Sequence, residues 1–216
     1  MNYKIYTTYH KDSIIKEYNL KPDNYHILFP THKNIKGDNI NYFSKYLNEY
    51  CTMYYVWKNN LYSDFVGFEH YSKRFDITKI PELKDDEIYV SMYEINRDNT
   101  LNDDKNWLLD LPYYENNIKL LYGENNKYID YLYNCYNIIW NECIIMNFTQ
   151  FCKMMKFIDQ LVNMFDNDIH GDYTYNNYLI FYNNDKYLCR AHIIERLISM
   201  WIICNYDNSK IYAENK

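Results

Sequence analysis

Hydrophobic residues recur along this chain with two periods, and the two periods predict different elements. Short apolar or alternating segments predict strands at Lys4–Thr8, Tyr25–Pro30, Phe65–Phe68, Ile88–Met92 and Ile138–Met146. Helical spacing predicts helices at Tyr42–Asn59, Tyr128–Tyr136, Phe151–Phe165 and about Ala191–Cys204. Because strands and helices alternate early and helices dominate late, the pattern predicts an α/β fold.

Two details refine these predictions. Gly67 interrupts the Phe65–Phe68 strand, and a glycine inside a central strand marks a close backbone approach. The helix predicted over Tyr42–Asn59 carries one apolar stripe. Four polar residues lie away from the centre of that stripe: Lys45, Asn48, Glu49 and Thr52. A solvated face is the simplest interpretation of all four, and it is favoured for Lys45 and Asn48.

The 216 residues fit a single domain over positions 1–216, with no linker or repeat. The net charge of −6 argues against a nucleic-acid partner, which needs a positive surface. No segment approaches the roughly 20 apolar residues of a membrane span, and no signal peptide is visible. Six separate cysteines without a C-x-x-C pair suggest buried thiols in a reducing compartment. We therefore expect a cytoplasmic protein.

The common catalytic motifs are missing. The chain has no G-x-G-x-x-G, no G-x-x-x-x-G-K followed by Ser or Thr, and no G-x-S-x-G. These gaps disfavour Rossmann dehydrogenases, P-loop enzymes, kinases and α/β-hydrolases.

Two acidic patterns are weak candidates. Asp166-Asn167-Asp168 has the D-x-D spelling of a divalent-cation site, but it follows a helix in a chain rich in Asn and Asp, so a solvated loop over 166–174 is favoured. His192 and Glu195 share a helix face, where they fit an ion pair better than an incomplete metal site.

The polar segment after the Phe65–Phe68 strand is better placed, because α/β enzymes gather their chemistry at the carboxyl ends of strands. Lys73 and Arg74 could neutralise a diphosphate, while His70 or Glu69 could bind a metal or move a proton. A strand exit with satisfied polar groups explains the same spacing equally well.

The order of several motifs resembles a known family, domain of unknown function 4422. The resemblance spans nearly the whole chain and rests on these residues: Lys4-Ile5-Tyr6, Tyr9-His10-Lys11, Gly37-Asp38-Asn39-Ile40, Glu49, Tyr54, Val56-Trp57-Lys58-Asn59, Asp64-Phe65-Val66-Gly67, His70-Tyr71, Arg190, Glu195-Arg196-Leu197 and Trp201. That family occurs in capsular and exopolysaccharide gene clusters and is grouped with glycosyltransferases of the GT-A fold.

The resemblance implies a GT-A-like α/β sandwich with a mixed, mostly parallel sheet flanked by helices. It implies transfer of a sugar from a nucleotide-sugar donor, a UDP-sugar being favoured, to a hydroxyl of a glycan or glycoconjugate acceptor. A divalent cation, Mn²⁺ or Mg²⁺, is a candidate cofactor.

The resemblance also assigns roles to residues. The donor nucleotide would contact Thr8, Tyr9, His10, Asp38 and Asn39. The diphosphate or its metal would contact His70, Lys73 and Arg74. Glu195 and Arg196 would form the catalytic end, with Glu69 as the competing acid.

The chain departs from the family at Ser72-Lys73, where two arginines usually follow His-Tyr. Lysine is a point charge and cannot grip a phosphate with two parallel hydrogen bonds as arginine does. This departure supports an alternative, a carbohydrate- or protein-binding module that keeps the fold without turnover.

Overall fold

The computed structural model describes residues 2–41, 47, 49–94, 115–134, 137–168 and 186–215. The strands in these ranges are β1 (Tyr3–Tyr9), β2 (His26–Pro30), β3 (Phe65–His70), β4 (Ile88–Glu94), β5 (Asn137–Asn147) and β6 (Ile211–Asn215). The helices are α1 (Asp12–Glu17), α2 (Tyr50–Lys58), α3 (115–122), α4 (Lys127–Asn134), α5 (Phe148–Asp168) and α6 (Lys186–Asn205). Two short 3₁₀ turns lie at Ile77–Lys79 and Asn208–Lys210.

The six strands form one sheet in the order β2-β1-β3-β5-β4-β6. Strand β1 is parallel to β2 and β3, and β4 is parallel to β6. Strand β5 is antiparallel to both of its neighbours, β3 and β4. Five strands therefore point the same way, and the carboxyl ends of β1, β2 and β3 lie at one edge.

The side chains of β3 alternate between the two faces of the sheet. Val66 and Phe68 belong to the larger core, which α2, α5 and α6 cover. Phe65 belongs to a smaller core on the opposite face, together with Phe75 and Leu83 from the segment after β3. The first helix, α1, packs through Ile14 in a third cluster with Tyr9. Helices therefore flank the sheet, and each residue of β3 belongs to one face or the other.

Most predicted elements are confirmed with small shifts of their ends. The five predicted strands correspond to β1–β5, and the helices predicted at Tyr128, Phe151 and Ala191 correspond to α4, α5 and α6. Of the helix predicted over Tyr42–Asn59, α2 covers Tyr50–Lys58, while residues 42–46 and 48 lie outside the described residues. The predicted close approach at Gly67 is also confirmed, because a Cβ there would lie 2.9 Å from Cγ1 of both Ile145 and Ile5.

Three local predictions are wrong or incomplete. Asp166–Asp168 form the last turn of α5, so the predicted loop does not begin at Asp166. No element was predicted between the first two strands, and the structure has the short helix α1 there. Strand β6 was not predicted, because five residues near the end of a chain make too short a pattern to distinguish from a tail.

Among the described residues, none of the helices combines the length and apolarity that crossing a membrane requires.

Candidate active site

The carboxyl edge of the sheet is the place where the described polar residues converge. Helix α2 runs from β2 back to β3, so its first turn lies beside the carboxyl ends of the parallel strands. Thr8 near the end of β1 and Thr52 in that first turn share a 2.8 Å hydrogen bond, and Thr52 is fully buried. The hydroxyl pair fixes the amino end of α2 against β1, next to the end of β3.

His70 and Glu49 meet at this edge. His70 is the last residue of β3, and Glu49 precedes the first residue of α2. Nε2 of His70 lies 3.6 Å from Oε1 of Glu49, and the side chains are 22% and 14% exposed. A pair with this little exposure lies in a medium less polar than water, which disfavours the charged form of each group.

Burial moves both pKa values toward the neutral forms. Burial lowers the pKa of His70 to about 4, helped by the positive charges of His10 and Lys73. Burial raises the pKa of Glu49 to about 7; a backbone hydrogen bond opposes this shift and the Glu195 carboxylate adds to it. The geometry is that of an ion pair, but near neutral pH it joins a neutral imidazole to a partly ionised carboxyl group.

Helix α6 brings Glu195 to the same edge. The Ser199 hydroxyl accepts a 2.9 Å hydrogen bond from the Ile139 N–H of β5 and donates one to the Glu195 carbonyl oxygen. These bonds anchor α6 to β5 one turn after Glu195, near an irregularity in the β4–β5 pairing. The structure thus places Glu49 beside His70 and within reach of the charge of Glu195. The sequence predicts roles for His70 and Glu195, whereas Glu49 enters it only as a residue of the family resemblance.

Glu69 occupies the opposite face of the sheet and is fully buried. Its Oε1 accepts hydrogen bonds from the Thr7 hydroxyl at 2.6 Å and from Nε of Arg74 at 3.2 Å. Its Oε2 accepts a 2.7 Å bond from the Phe75 N–H. A carboxylate with both oxygens occupied by protein donors holds the strand exit in place, and this explains its burial.

Asp23 and His26 extend that buried network. Nε2 of His26 lies 3.7 Å from Oε2 of Glu69, while Nδ1 lies 2.9 Å from Oδ2 of Asp23. Burial by itself raises the pKa of Asp23, but hydrogen bonds from the His26 and Tyr25 N–H groups and from the His26 ring outweigh it and bring the value to about 2. Arg74 reaches the same group, with Nη2 3.9 Å from Oδ2 of Asp23.

The predicted donor residues Thr8, Tyr9 and His10 lie at the carboxyl end of β1, in different environments. Thr8 and Tyr9 are buried, Tyr9 within the cluster that α1 covers. His10 is exposed, and its ring meets the Tyr71 ring edge-on at 5.5 Å. Tyr71 in turn packs against the His70 ring at 3.8 Å. His10 is therefore the member of this group that faces solvent beside the His70 site.

Asp38 and Asn39 lie at the other end of α2. Asn59, which ends that helix, accepts a 3.1 Å hydrogen bond from the Asp38 N–H and donates a 2.8 Å bond to the Asp38 carbonyl oxygen. Asn39 donates to the carbonyl oxygens of Ile35 and Gly37. Since Glu49 and Asn59 are ten positions apart and a helix rises 1.5 Å per residue, roughly 15 Å separates Asp38 from the Glu49 end.

The predicted basic residues divide between the two faces. The Lys73 N–H closes the turn after β3 by donating to the His70 carbonyl oxygen at 2.9 Å, so Lys73 stays beside the His70 site. Arg74 is paired with Glu69 instead. Arg196 follows Glu195 on α6 and is buried, with 7% exposure.

Glu49 is the site residue that sequence reasoning missed. Its helical position, off the apolar stripe, is equally compatible with a solvated face, and the same holds for Thr52, which the structure buries completely. The first turn of a helix that crosses back over a parallel sheet faces the carboxyl edge, so a polar residue there can point into a crevice. Glu49 could have been found from its place in the chain, just before a helix that connects β2 to β3, but not from the side of the helix on which it lies.

No group of three His, Cys, Asp or Glu side chains in the described ranges has the arrangement of a metal site.

No protein-family model matches the chain, and the curated proteins contain no significant match either. Among solved structures, the chain is similar to the ligand-free structure of WbbM, a bifunctional glycosyltransferase, with a TM-score of 0.69 and 18% sequence identity. The similarity covers 100% of this chain and 44% of WbbM, so the chain spans less than half the length of that protein. It shows the fold and confirms the predicted α/β class: a mixed, mostly parallel sheet flanked by helices, as in part of a glycosyltransferase.

Proposed function

We propose that this protein is a glycosyltransferase that moves a sugar from a nucleotide-sugar donor to a hydroxyl of a glycan or glycoconjugate acceptor. One observation carries the proposal: His70 and Glu49 meet at the carboxyl edge of the parallel strands, close enough to Glu195 for its charge to raise the pKa of Glu49, in a fold that a glycosyltransferase shares. That edge is where α/β proteins bind ligands and place reacting groups.

The chemistry needs a group that accepts the proton of the attacking hydroxyl. The candidates are Glu49 and Glu195, which lie close enough for the charge of Glu195 to raise the pKa of Glu49. A carboxyl group with a pKa near 7 is well matched to proton transfer near neutral pH. Glu69 lacks this freedom because protein donors occupy both of its oxygens.

The reaction also needs positive charge for the leaving diphosphate. Lys73 lies at the turn beside His70 and is proposed to supply this charge. His10, whose pKa is lowered by burial, is proposed as a hydrogen-bonding neighbour on the diphosphate side, and Thr8 and Tyr9 at the end of β1 form the floor there. A UDP-sugar is the favoured donor, and Mn²⁺ or Mg²⁺ is the candidate cofactor.

Donor hydrolysis and calorimetric binding, measured with UDP-, GDP- and dTDP-sugars with and without manganese, test the proposal. We expect one donor class to bind and to be hydrolysed slowly without an acceptor. Lys73→Ala should weaken donor binding by roughly tenfold or more, because it removes the charge proposed for the diphosphate, while Lys79→Ala, a 66%-exposed lysine of the segment after β3, should not. Unchanged binding in Lys73→Ala would mean that the donor binds elsewhere.

A second candidate function is a binding module without turnover. The pairing of Arg74 with buried Glu69 favours it, because this pairing occupies a cation that the family resemblance assigns to the diphosphate. Such a module would bind glycans without hydrolysing any donor in the panel, so the same two measurements separate the candidates.

A further inference from the structure

Ser72 lies in the tight turn that follows β3. The Ser72 N–H donates to Nδ1 of His70 at 3.3 Å, and the Ser72 hydroxyl lies 2.6 Å from the same nitrogen. The turn is closed by the bond from the Lys73 N–H to the His70 carbonyl oxygen. Both contacts of Ser72 therefore converge on one ring nitrogen.

These contacts determine which nitrogen of His70 carries the proton. A backbone N–H can only donate, so Nδ1 must present its lone pair to accept this bond. In a neutral imidazole the proton then resides on Nε2. Protonation of Nδ1 would point its N–H at the Ser72 N–H, and two donors that face each other repel. The lowered pKa of His70 agrees with this arrangement.

The proton on Nε2 faces Glu49. Nε2 and Oε1 are 3.6 Å apart, which is longer than a hydrogen bond, and contacts of this kind are often long before substrate binds. A neutral donor at this position orients the Glu49 carboxylate without adding a second charge. Ser72, His70 and Glu49 thus form one chain from the turn after β3 to the first turn of α2.

We propose that Glu49 takes the proton from the acceptor hydroxyl, and that Ser72 positions it by fixing the tautomer of His70. This inference rests on the proposed glycosyl transfer. In that step the bond between the sugar anomeric carbon and the diphosphate oxygen breaks, and its electron pair leaves with the diphosphate. The acceptor oxygen forms the new bond to the anomeric carbon, and its proton moves to the Glu49 carboxylate.

Three elements contribute the titratable groups around Glu49. His70 ends β3, Tyr71 follows it in the turn, and Glu195 comes from α6. The negative charge of Glu195 disfavours ionisation of Glu49 and so keeps its carboxylate basic. Ser72 stands where the resembling family has an arginine, so this chain replaces a phosphate-binding cation with a group that controls a histidine.

The tautomer can be measured without knowing any substrate. Long-range ¹H–¹⁵N spectra of ¹⁵N-histidine-labelled protein at pH 7, with the His70 signals identified by their loss in His70→Gln, should show a proton on Nε2. A proton on Nδ1 would overturn the proposal. Ser72→Ala should raise the pKa of His70 because it removes the 2.6 Å contact, and Ser72→Thr, which keeps the hydroxyl, should restore it.

Kinetics test the proton-transfer step. Glu49→Gln should lower kcat by roughly 10²- to 10⁴-fold with donor binding retained, the usual size of a general-base contribution. Glu49→Asp should regain part of the rate. The kcat/KM profile of the native protein should rise with pH through about 7, and Glu195→Gln should shift that midpoint downward.

The outcomes are distinguishable. If the native protein turns over a donor and Glu49→Gln retains its kcat and pH profile, the inference fails while the proposed function stands. If no donor binds or turns over, both fail. Circular dichroism of each variant checks folding. Glu49→Asp and Ser72→Thr supply a second, more conservative variant at each position. Labelling of Ser72 by a fluorophosphonate would identify a nucleophile and overturn its positioning role.

Discussion

The Thr7 hydroxyl donates a 2.6 Å hydrogen bond to Oε1 of Glu69, a carboxylate with no exposed surface. The next residue, His70, points to the other face of the sheet and contacts Glu49. Two adjacent ionisable residues at the end of β3 thus have different roles. Glu69 holds the strand exit together, and His70 lies in the candidate active site.

Replacing Glu69 should destabilise the fold. Glu69→Ala leaves the Arg74 guanidinium and the Phe75 N–H without their acceptor, and breaking a buried pair in this way costs about 3–5 kcal/mol. The measurement is the free energy of unfolding in urea. Glu82→Ala, at an exposed position, is the matched control and should stay within about 0.5 kcal/mol of the native protein. If Glu69→Ala loses no more unfolding free energy than Glu82→Ala, the hydrogen bonds to Glu69 contribute nothing to stability.

Gly67→Ala should destabilise the centre of the sheet. The new Cβ would meet Cγ1 of Ile5 and of Ile145, both at 2.9 Å, and the Ile144 carbonyl oxygen at 3.4 Å. Overpacking of this kind costs about 1–3 kcal/mol. Urea denaturation measures the loss, and the cost should fall when Ile145 is also replaced by alanine. If Gly67→Ala costs the same with Ile145 as with alanine at position 145, the contact with Ile145 does not cause the loss of stability.

Asn59→Ala should loosen the loop that carries Asp38. Asn59 makes both a donated and an accepted bond with the Asp38 backbone, and their loss should cost about 1–2 kcal/mol. Hydrogen exchange should increase at residues 36–40, and exposed Asn34→Ala should leave it unchanged. If donor binding also stays unchanged in Asn59→Ala, Asp38 and Asn39 have no role in the donor site.

Glu49 should make stability depend on pH. Its pKa is raised from 4.5 to about 7, so the unfolded chain loses this proton first and stability falls as pH rises from about 4.5 through 7. Glu49→Gln removes that slope. Relative to the native protein it should gain on the order of 1–3 kcal/mol between pH 4 and pH 8.

Urea denaturation at pH 4, 6 and 8 measures this gain. Glu17→Gln, at an exposed position, should show no such trend. A difference that does not vary with pH would mean that the Glu49 carboxylate is solvated normally.

Much of the fold was predictable from local patterns. The alternation in β1 and β3 and the helical spacing in α5 placed these elements within a few residues, because side chains on a buried face must be apolar at that period. The site was only partly predictable. His70 stood out by its position after β3 and Glu195 through the family resemblance, but Glu49 has the same polarity as any surface residue of a helix.

The sequence by itself determined most of the elements, the α/β class and the close approach at Gly67, since these depend on local periodicity and on the size of one side chain. The opposite directions of Glu69 and His70 follow from β3 extending to His70, two residues beyond the predicted strand. Only the tertiary structure decided which face holds the candidate active site. That outcome depends on α2 and α6 meeting β3 through contacts between residues far apart in the chain, such as Thr8 with Thr52 and Ile139 with Ser199. Burial then gave Glu49 and His70 pKa values that their residue types alone do not imply.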